Sequence, residues 1–265
     1  MNDNNYPKVK IIHSIIENGV TKPKIATLED DTTIVLKEFN GEQGNLVIFN
    51  EFLCYRLAIL IGLPMPKSGL CILDDTCDNN EFITEKNFGT CFYSTYLNKV
   101  TPIKEGIIPL ITNQDIFYKL IIFDHIIYNW DRNPGNLLVR FYKNDIKLYV
   151  IDHSHVFKNQ TIWDSQCLED GIKEFDILDT RILKENETIY SMFFNKICVE
   201  KEKLINEKIL FQKLISYDII YGLIAECPNS IKPTEKDIDS LIKYLLYRID
   251  NLDRIISTIC SYIKI

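Results

Sequence analysis

NWDRNPGNLLV (residues 129–139), followed shortly by LYVIDHSHVF (148–157), decides how the chain is read. Pro134 and Gly135 keep the first stretch out of regular helix, so Asp131 and Asn136, five residues apart, sit in a loop. The residues after them read as a hairpin, with strands at 137–142 and 147–151 joined by a turn at Lys143, Asn144 and Asp145. Asp152 then stands at the end of the second, apolar strand. Two carboxylates and an amide are thereby aimed at one place. Phosphoryl transfer needs that inventory, a carboxylate to orient an attacking hydroxyl and an Asn with an Asp to hold magnesium between phosphates. Taken alone, Asp131 and Asn136 read more readily as turn caps. The joint pattern D-x-x-x-x-N, hairpin, apolar strand, Asp is harder to reach by chance.

A cation for the phosphates should then stand on an earlier strand, paired with a helix glutamate. Lys37 ends TTIVLK as a polar intrusion among Ile34, Val35, Leu36 and Phe39, and Glu51 opens an apolar helix fourteen residues later. A donor-rich turn for the phosphates has one candidate, ENGVTKPK. Gly19 there permits unusual backbone angles, Thr21 offers a hydroxyl and Lys22 a charge.

Working outward, the first hundred residues carry strand-like segments at 10–16, 24–29 and 31–39, rich in β-branched residues and separated by turns. LVIFNEFLCYRLAILIG (46–62) has helical spacing and stops at Gly62 before Pro64. From Cys71 to Lys99 the alternation is weak, with EFITE (81–85) and FYSTYL (92–97) expected as strands. QDIFYKLIIFDHIIYNW (114–130) predicts a helix apolar around most of its circumference, hence buried on all sides. Beyond the hairpin only helical patterns occur. The clearest starts at Thr234, an N-cap with Asp237 three residues on, and runs as one helix through Ile259. The fold class expected is α+β, two-lobed and protein-kinase-like: a small antiparallel β-rich lobe with one helix (1–99), then a larger, mainly helical lobe (100–265).

Composition sets the outer limits. With 265 residues, 46 % hydrophobic, the chain can bury a sizeable core. Thirty Lys and Arg against 37 Asp and Glu give a net charge of -7 with no basic stripe, which argues against direct nucleic-acid binding. The start, MNDNNYPKVK, lacks a signal pattern and no apolar run approaches the roughly 20 residues that span a bilayer, so a cytoplasmic protein without membrane contact is expected. Eight cysteines at 54, 71, 77, 91, 167, 198, 227 and 260 form no close CxxC pair, and most lie in apolar patterns where a thiol packs as a small hydrophobe.

The catalytic and metal-binding segments resemble those of HipA-like kinases and, more distantly, phosphatidylinositol kinases, in which D-R-x-x-x-N precedes an Ile-Asp motif. GVTKP, IVLKEF and NEFLCYRLAILIGLPMP resemble that family's phosphate loop, strand lysine and first helix, in the same order over residues 10–160. The resemblance implies an ATP- and Mg2+-dependent kinase. It implies Asp131 as catalytic base, Asn136 and Asp152 as magnesium ligands, and Lys37, oriented by Glu51, on the nucleotide phosphates. It further implies Thr21 and Lys22 over the phosphates and Arg132 fixing the loop through hydrogen bonds. Adenine contacts are expected between Ile83 and Leu97. Because the family includes serine/threonine kinases of bacterial toxin–antitoxin systems, some of them autophosphorylating in the phosphate loop, Ser/Thr of a protein is the implied acceptor. An antitoxin is a candidate partner and Thr21 a candidate for self-modification. Asn133 stands where relatives often have His, and His-Ser-His follows Asp152 in place of Phe-Gly, which argues against an ordinary eukaryotic-type protein kinase.

Three rivals remain. A small-molecule phosphotransferase of the aminoglycoside or choline type shares the triad but usually carries His-x-Asp where this chain has NWD. A metal-dependent hydrolase would use His125, Asp152, His153 and His155. A pseudokinase would keep the fold and the nucleotide without turnover.

Overall fold

The computed structural model describes residues 6–17, 22–38, 46–78, 82, 87–143 and 145–264. Gly19 and Thr21 lie outside the described residues, as do Glu81 and 83–86, so neither the phosphate turn nor the EFITE segment is characterised further. Five strands, β1 (Val9–Ile15), β2 (Lys24–Leu28), β3 (Thr33–Lys37), β4 (Ser68–Leu73) and β5 (Gly89–Thr95), form one antiparallel sheet in the order β1-β2-β3-β5-β4. Ala26, Leu28, Ile34 and Leu36 alternate onto one face, where they pack with Val9, Ile12, Cys71 and Cys91. The other face carries α1 (Val47–Leu60), whose apolar residues join the main core. β4 had no sequence expectation, since SGLCIL starts before the weakly alternating region and carries only a short apolar run.

The second part begins with a three-stranded antiparallel sheet, β6 (Val100–Pro102), β7 (Leu137–Tyr142) and β8 (Asp145–Val150), in which β7 and β8 are the expected hairpin. Between β6 and β7 runs α2 (Ile116–Ile126), with every residue except Lys119 buried, as its all-round apolarity requires. The remainder is helical: α3 (Ser165–Lys173), α4 (Arg181–Glu185), α5 (Glu187–Phe194), α6 (Lys201–Leu214), α7 (Tyr217–Ala225), α8 (Glu235–Asp250) and α9 (Leu252–Ile263). The whole is a two-lobed, protein-kinase-like arrangement. Among the described residues no helix is long and apolar enough to cross a membrane. Cys54, Cys71, Cys77, Cys91, Cys227 and Cys260 are buried, in keeping with their apolar surroundings in the sequence.

Two helix ends differ from expectation, each for a local reason. α2 stops at Ile126, four residues before the pattern ends, because Tyr128 adopts a left-handed φ of 51°. The Asn129 N–H then donates to the Asp124 carbonyl (2.7 Å) and the Tyr128 N–H to that of His125 (3.4 Å), a Schellman closure without the usual glycine. The Tyr128 hydroxyl donates to Asp179 Oδ2 (3.0 Å) and its ring lies under the Arg248 guanidinium, contacts that hold a conformation tyrosine seldom takes. The expected single helix from Thr234 to Ile259 breaks at Asn251, whose side chain donates to the Tyr247 carbonyl while its own carbonyl accepts from Arg254 and Ile255. The apolar spacing of Ile249, Leu252 and Ile256 continues across the break, so periodicity hid it. The cap itself forms as read: Thr234 Oγ1 accepts from the Asp237 N–H and donates to Asp237 Oδ2.

α3 and α8 approach closely at Gly171. A Cβ there would stand 2.7 Å from Asp176 Oδ2 and 2.9 Å from Tyr244 Cε2. Asp176 cannot easily yield, since it accepts from the Tyr244 hydroxyl (2.5 Å) and pairs with buried Arg248. Gly171→Ala gains about 1 kcal/mol of helix propensity but forces overpacking of about 1–3 kcal/mol. A net loss in urea unfolding free energy is expected, and a gain would show that Asp176 moves freely.

Candidate active site

β3 ends at Lys37 and α1 carries Glu51 one turn from its start, so sheet and helix deliver a cation and a carboxylate to the same edge. Lys37 Nζ donates to Glu51 Oε1 (2.5 Å) and to Asp152 Oδ1 (2.8 Å). Asp152 follows β8 in a left-handed conformation, φ 61°, and also accepts from Ser154 Oγ (2.8 Å). Burial opposes charge on all three groups. It is the largest influence on Glu51, which is pushed up from its ordinary range with Lys37 opposing. For Asp152 the Lys37 ammonium outweighs burial and holds the carboxyl well below the usual carboxylate range. Lys37, between two carboxylates, is held above its ordinary value despite burial.

The loop from Asn129 to Asn136 supplies the other groups. The Asp131 carboxylate receives no hydrogen bond among the described residues, while the Asp131 carbonyl accepts from Asn136 Nδ2 (2.9 Å). That bond turns the Asn136 amide so that Oδ1 has no donor among the described residues. Burial, opposed by His155 and reinforced by Asp152, raises the Asp131 carboxyl above its ordinary value. Lys37, Glu51, Asp131, Asn136 and Asp152 all line one cavity of about 620 Å³, with Val35, Met65, Phe92, Leu138 and Ile151 among its apolar lining. Of the segment expected to meet adenine, Phe92 and Ser94 to Leu97 line this cavity. Lys22 is exposed and does not line it.

Arg132 makes hydrogen bonds that fix the loop, as its expected role requires, and does not line the cavity. It is 2 % exposed and turned away from the cavity. Its Nε and Nη2 donate to Asp124 Oδ2 (3.2 Å) and Oδ1 (2.8 Å), its Nη1 to the Ile151 carbonyl (2.8 Å), and Nη2 also to His153 Nε2 (2.9 Å). The guanidinium thereby ties the Asp131 loop to the residues on either side of Asp152. His153, accepting at Nε2, is neutral, and burial followed by the Arg132 charge holds it well below its ordinary pKa.

Asp124, Asn186 and Tyr190 had no role in the sequence reading. Asp124 also accepts from Asn129 Nδ2 (3.0 Å) and Tyr190 Oη (3.1 Å), and Asn186 Oδ1 accepts from the Arg132 N–H (2.8 Å). An aspartate inside the apolar run IIFDHII is the signal that pointed to such a counter-ion. Asn50 was likewise missed. Fully buried beside Glu51, it donates to the Ser154 carbonyl (2.8 Å) and accepts from Trp163 Nε1 (3.0 Å), fastening α1 to the segment after Asp152.

Asn136 Oδ1 and Asp152 Oδ2 both lack hydrogen-bond donors among the described residues, and both are oxygens of the kind magnesium prefers. Two protein ligands suit a metal completed by phosphates and water. Among the described residues no group of three or more His, Cys, Asp or Glu is placed to hold a metal by itself. The four groups of the hydrolase reading therefore do not converge: His125 is buried with Nδ1 on the Ile121 carbonyl, and His153 faces Arg132.

Comparison with known proteins gives the frame for this geometry. The proinflammatory kinase CtkA of Helicobacter pylori superposes with a TM-score of 0.60 at 12 % identity, over 94 % of this chain and 97 % of that one. The Golgi casein kinase, solved with Mn and ADP bound, gives 0.54 at 11 % identity over 98 % and 75 %. At these identities the likeness establishes the kinase fold. No curated protein matches by sequence. A family model described as HipA-like kinase matches residues 9–173, more than half of the 265, and the chain accordingly belongs to the HipA-like kinase family.

Proposed function

We propose that this kinase transfers the γ-phosphoryl group of ATP to a Ser or Thr hydroxyl of a protein, with magnesium. The observation that carries the reading is the convergence of Lys37, Glu51, Asp131, Asn136 and Asp152 on one cavity. Its apolar lining suits adenine. Lys37, held charged, would sit on the phosphates, and Glu51 and its hydrogen bond from the His153 N–H (3.2 Å) would keep that lysine in place. Asn136 and Asp152 would hold magnesium, which when bound neutralises charge on the phosphates. Asp131, with a free carboxylate, would orient the acceptor hydroxyl and take its proton as the oxygen bonds to the γ-phosphorus and ADP leaves with the electrons of the broken bond. The Mn/ADP pair in the Golgi casein kinase supports nucleotide and divalent metal in a fold of this kind. Gly19, Thr21 and Lys22 would cover the phosphates. The two lobes are assigned to 1–99 and 100–265, between β5 of the first sheet and β6 of the second. Family membership supports a place in a toxin–antitoxin or other regulatory system.

The test is label transfer from γ-labelled ATP to protein in a cell lysate, with and without magnesium. Label appearing on Ser or Thr only with the metal is the expected result, and label on small molecules alone would favour the aminoglycoside-type reading. The same assay carries a pH prediction. Asp131 works deprotonated and its pKa is raised, so kcat/KM should fall about tenfold per pH unit on an acid limb lying above the ordinary carboxylate value. Rates from about pH 4 to pH 8 locate that limb, and one at or below the ordinary value would remove Asp131 as the base.

A further inference from the structure

A second cavity, of about 630 Å³, lies beside the first and shares Gln160 with it. Its wall includes Trp130, the residue before Asp131, the proposed base. The Arg181 guanidinium lies 3.7 Å from the centre of the Trp130 ring. Stacking fixes the plane of the guanidinium and leaves its edge donors facing outward, the arrangement that receives a carboxylate or phosphate in the same plane.

The charges around it are unevenly satisfied. Lys158 pairs with Glu174. Asp170 accepts from Gln166 Nε2 (2.8 Å), and Asp179 accepts from the Tyr128 hydroxyl (3.0 Å) and from the Arg181 backbone N–H (2.8 Å). Among the described residues the Arg181 side chain alone of these charged groups has neither an ion pair nor a hydrogen bond. Arg181 is exposed and stacked on Trp130 in the wall of this second cavity, where its donors can meet an anionic ligand.

We propose that this cavity is the acceptor-docking subsite, in which Arg181, held flat on Trp130, binds an anionic group of the acceptor polypeptide flanking the hydroxyl presented to Asp131. The inference rests on the kinase reading above, and it adds a substrate class: acceptors with an acidic or phosphorylated residue close to the phosphorylated Ser or Thr.

Fluorescein-labelled peptides test it, each with a fixed central Ser and one flanking position at a time carrying Glu, phosphoserine, Ala or Lys. Binding is read by anisotropy in Mg-ADP, and transfer by label from ATP. At one position the wild-type protein should bind the Glu or phosphoserine peptide about tenfold or more tightly than the Ala peptide, as a charge-assisted hydrogen bond allows. The two anions compared with each other tell carboxylate from phosphate. Arg181→Gln should abolish the preference. Arg181→Glu should reverse it toward the Lys peptide, a gain that misfolding cannot produce. Transfer proceeding with equal affinity for all flanking residues, or a preference surviving in Arg181→Gln, overturns the subsite and leaves the kinase reading intact. An Arg181-dependent preference with no label transferred would overturn the kinase reading instead.

Discussion

Asp152→Ala is expected to remove both phosphoryl transfer and the thermal stabilisation that Mg-ATP gives the wild-type protein, whereas Asp131→Ala keeps the stabilisation and loses about 10²- to 10⁴-fold in kcat. The two carboxylates stand in one cavity but in different company. Asp152 is held charged by Lys37 and, among the described residues, offers Oδ2 without a competing donor, so its loss would remove the proposed metal ligand together with a negative partner of Lys37. Lys37 keeps Glu51, so the cation is not orphaned and the fold should survive. Among the described residues the Asp131 carboxylate makes no hydrogen bond or ion pair, so its removal would subtract the proposed proton acceptor and leave the partners of Lys37, Asn136 and Asp152 in place. Saturating Mg-ATP stabilises a binding-competent protein by about 2.7 kcal/mol at a hundredfold excess over Kd, a shift that scanning calorimetry resolves. An unchanged Mg-ATP shift in Asp152→Ala would take that residue out of the metal site, and undiminished turnover in Asp131→Ala would leave the base unassigned.

Much of this geometry was legible because the groups involved obey short-range rules. Pro134 and Gly135 mark the loop that carries Asp131, the end of a strand sets Asp152, and a polar residue ending an apolar strand singles out Lys37. The residues that hold them in place were not legible. Asp124 and Asn186 meet Arg132, and Tyr190 meets Asp124, only because α2 and α5 pack together, and no local pattern records which buried donor will find which acceptor. His153 shows the same limit: beside Asp152 it looked like chemistry, and the structure turns it inward as an acceptor for Arg132. The early stop of α2 was invisible for a related reason. Its left-handed residue is a tyrosine held by Asp179 and Arg248, which lie far along the chain.

Arg132→Met is expected to cost about 3–5 kcal/mol of stability, a large share of the total of about 5–15 kcal/mol typical of folded domains. The loss comes less from the broken bonds than from what they leave behind. The Asp124 carboxylate, fully buried, would keep Asn129 and Tyr190 as its donors among the described residues, and the Ile151 carbonyl and His153 Nε2 would each lose a partner. Removing both charges together should be far milder, because a buried ion pair replaced by apolar groups of similar volume is often neutral. Asp124→Leu with Arg132→Met is therefore expected to regain part of the stability in urea unfolding, the partners lost by Asn129, Tyr190, the Ile151 carbonyl and His153 accounting for the rest. Activity should not return with it. The guanidinium also joins the Asp131 loop to Ile151 and His153 on either side of Asp152, and the double variant lacks that tie, so kcat should stay low while the midpoint of unfolding partly recovers. Recovery of both together would make the pair structural only, and a stable, active Arg132→Met protein would remove the guanidinium from the positioning of the two aspartates altogether.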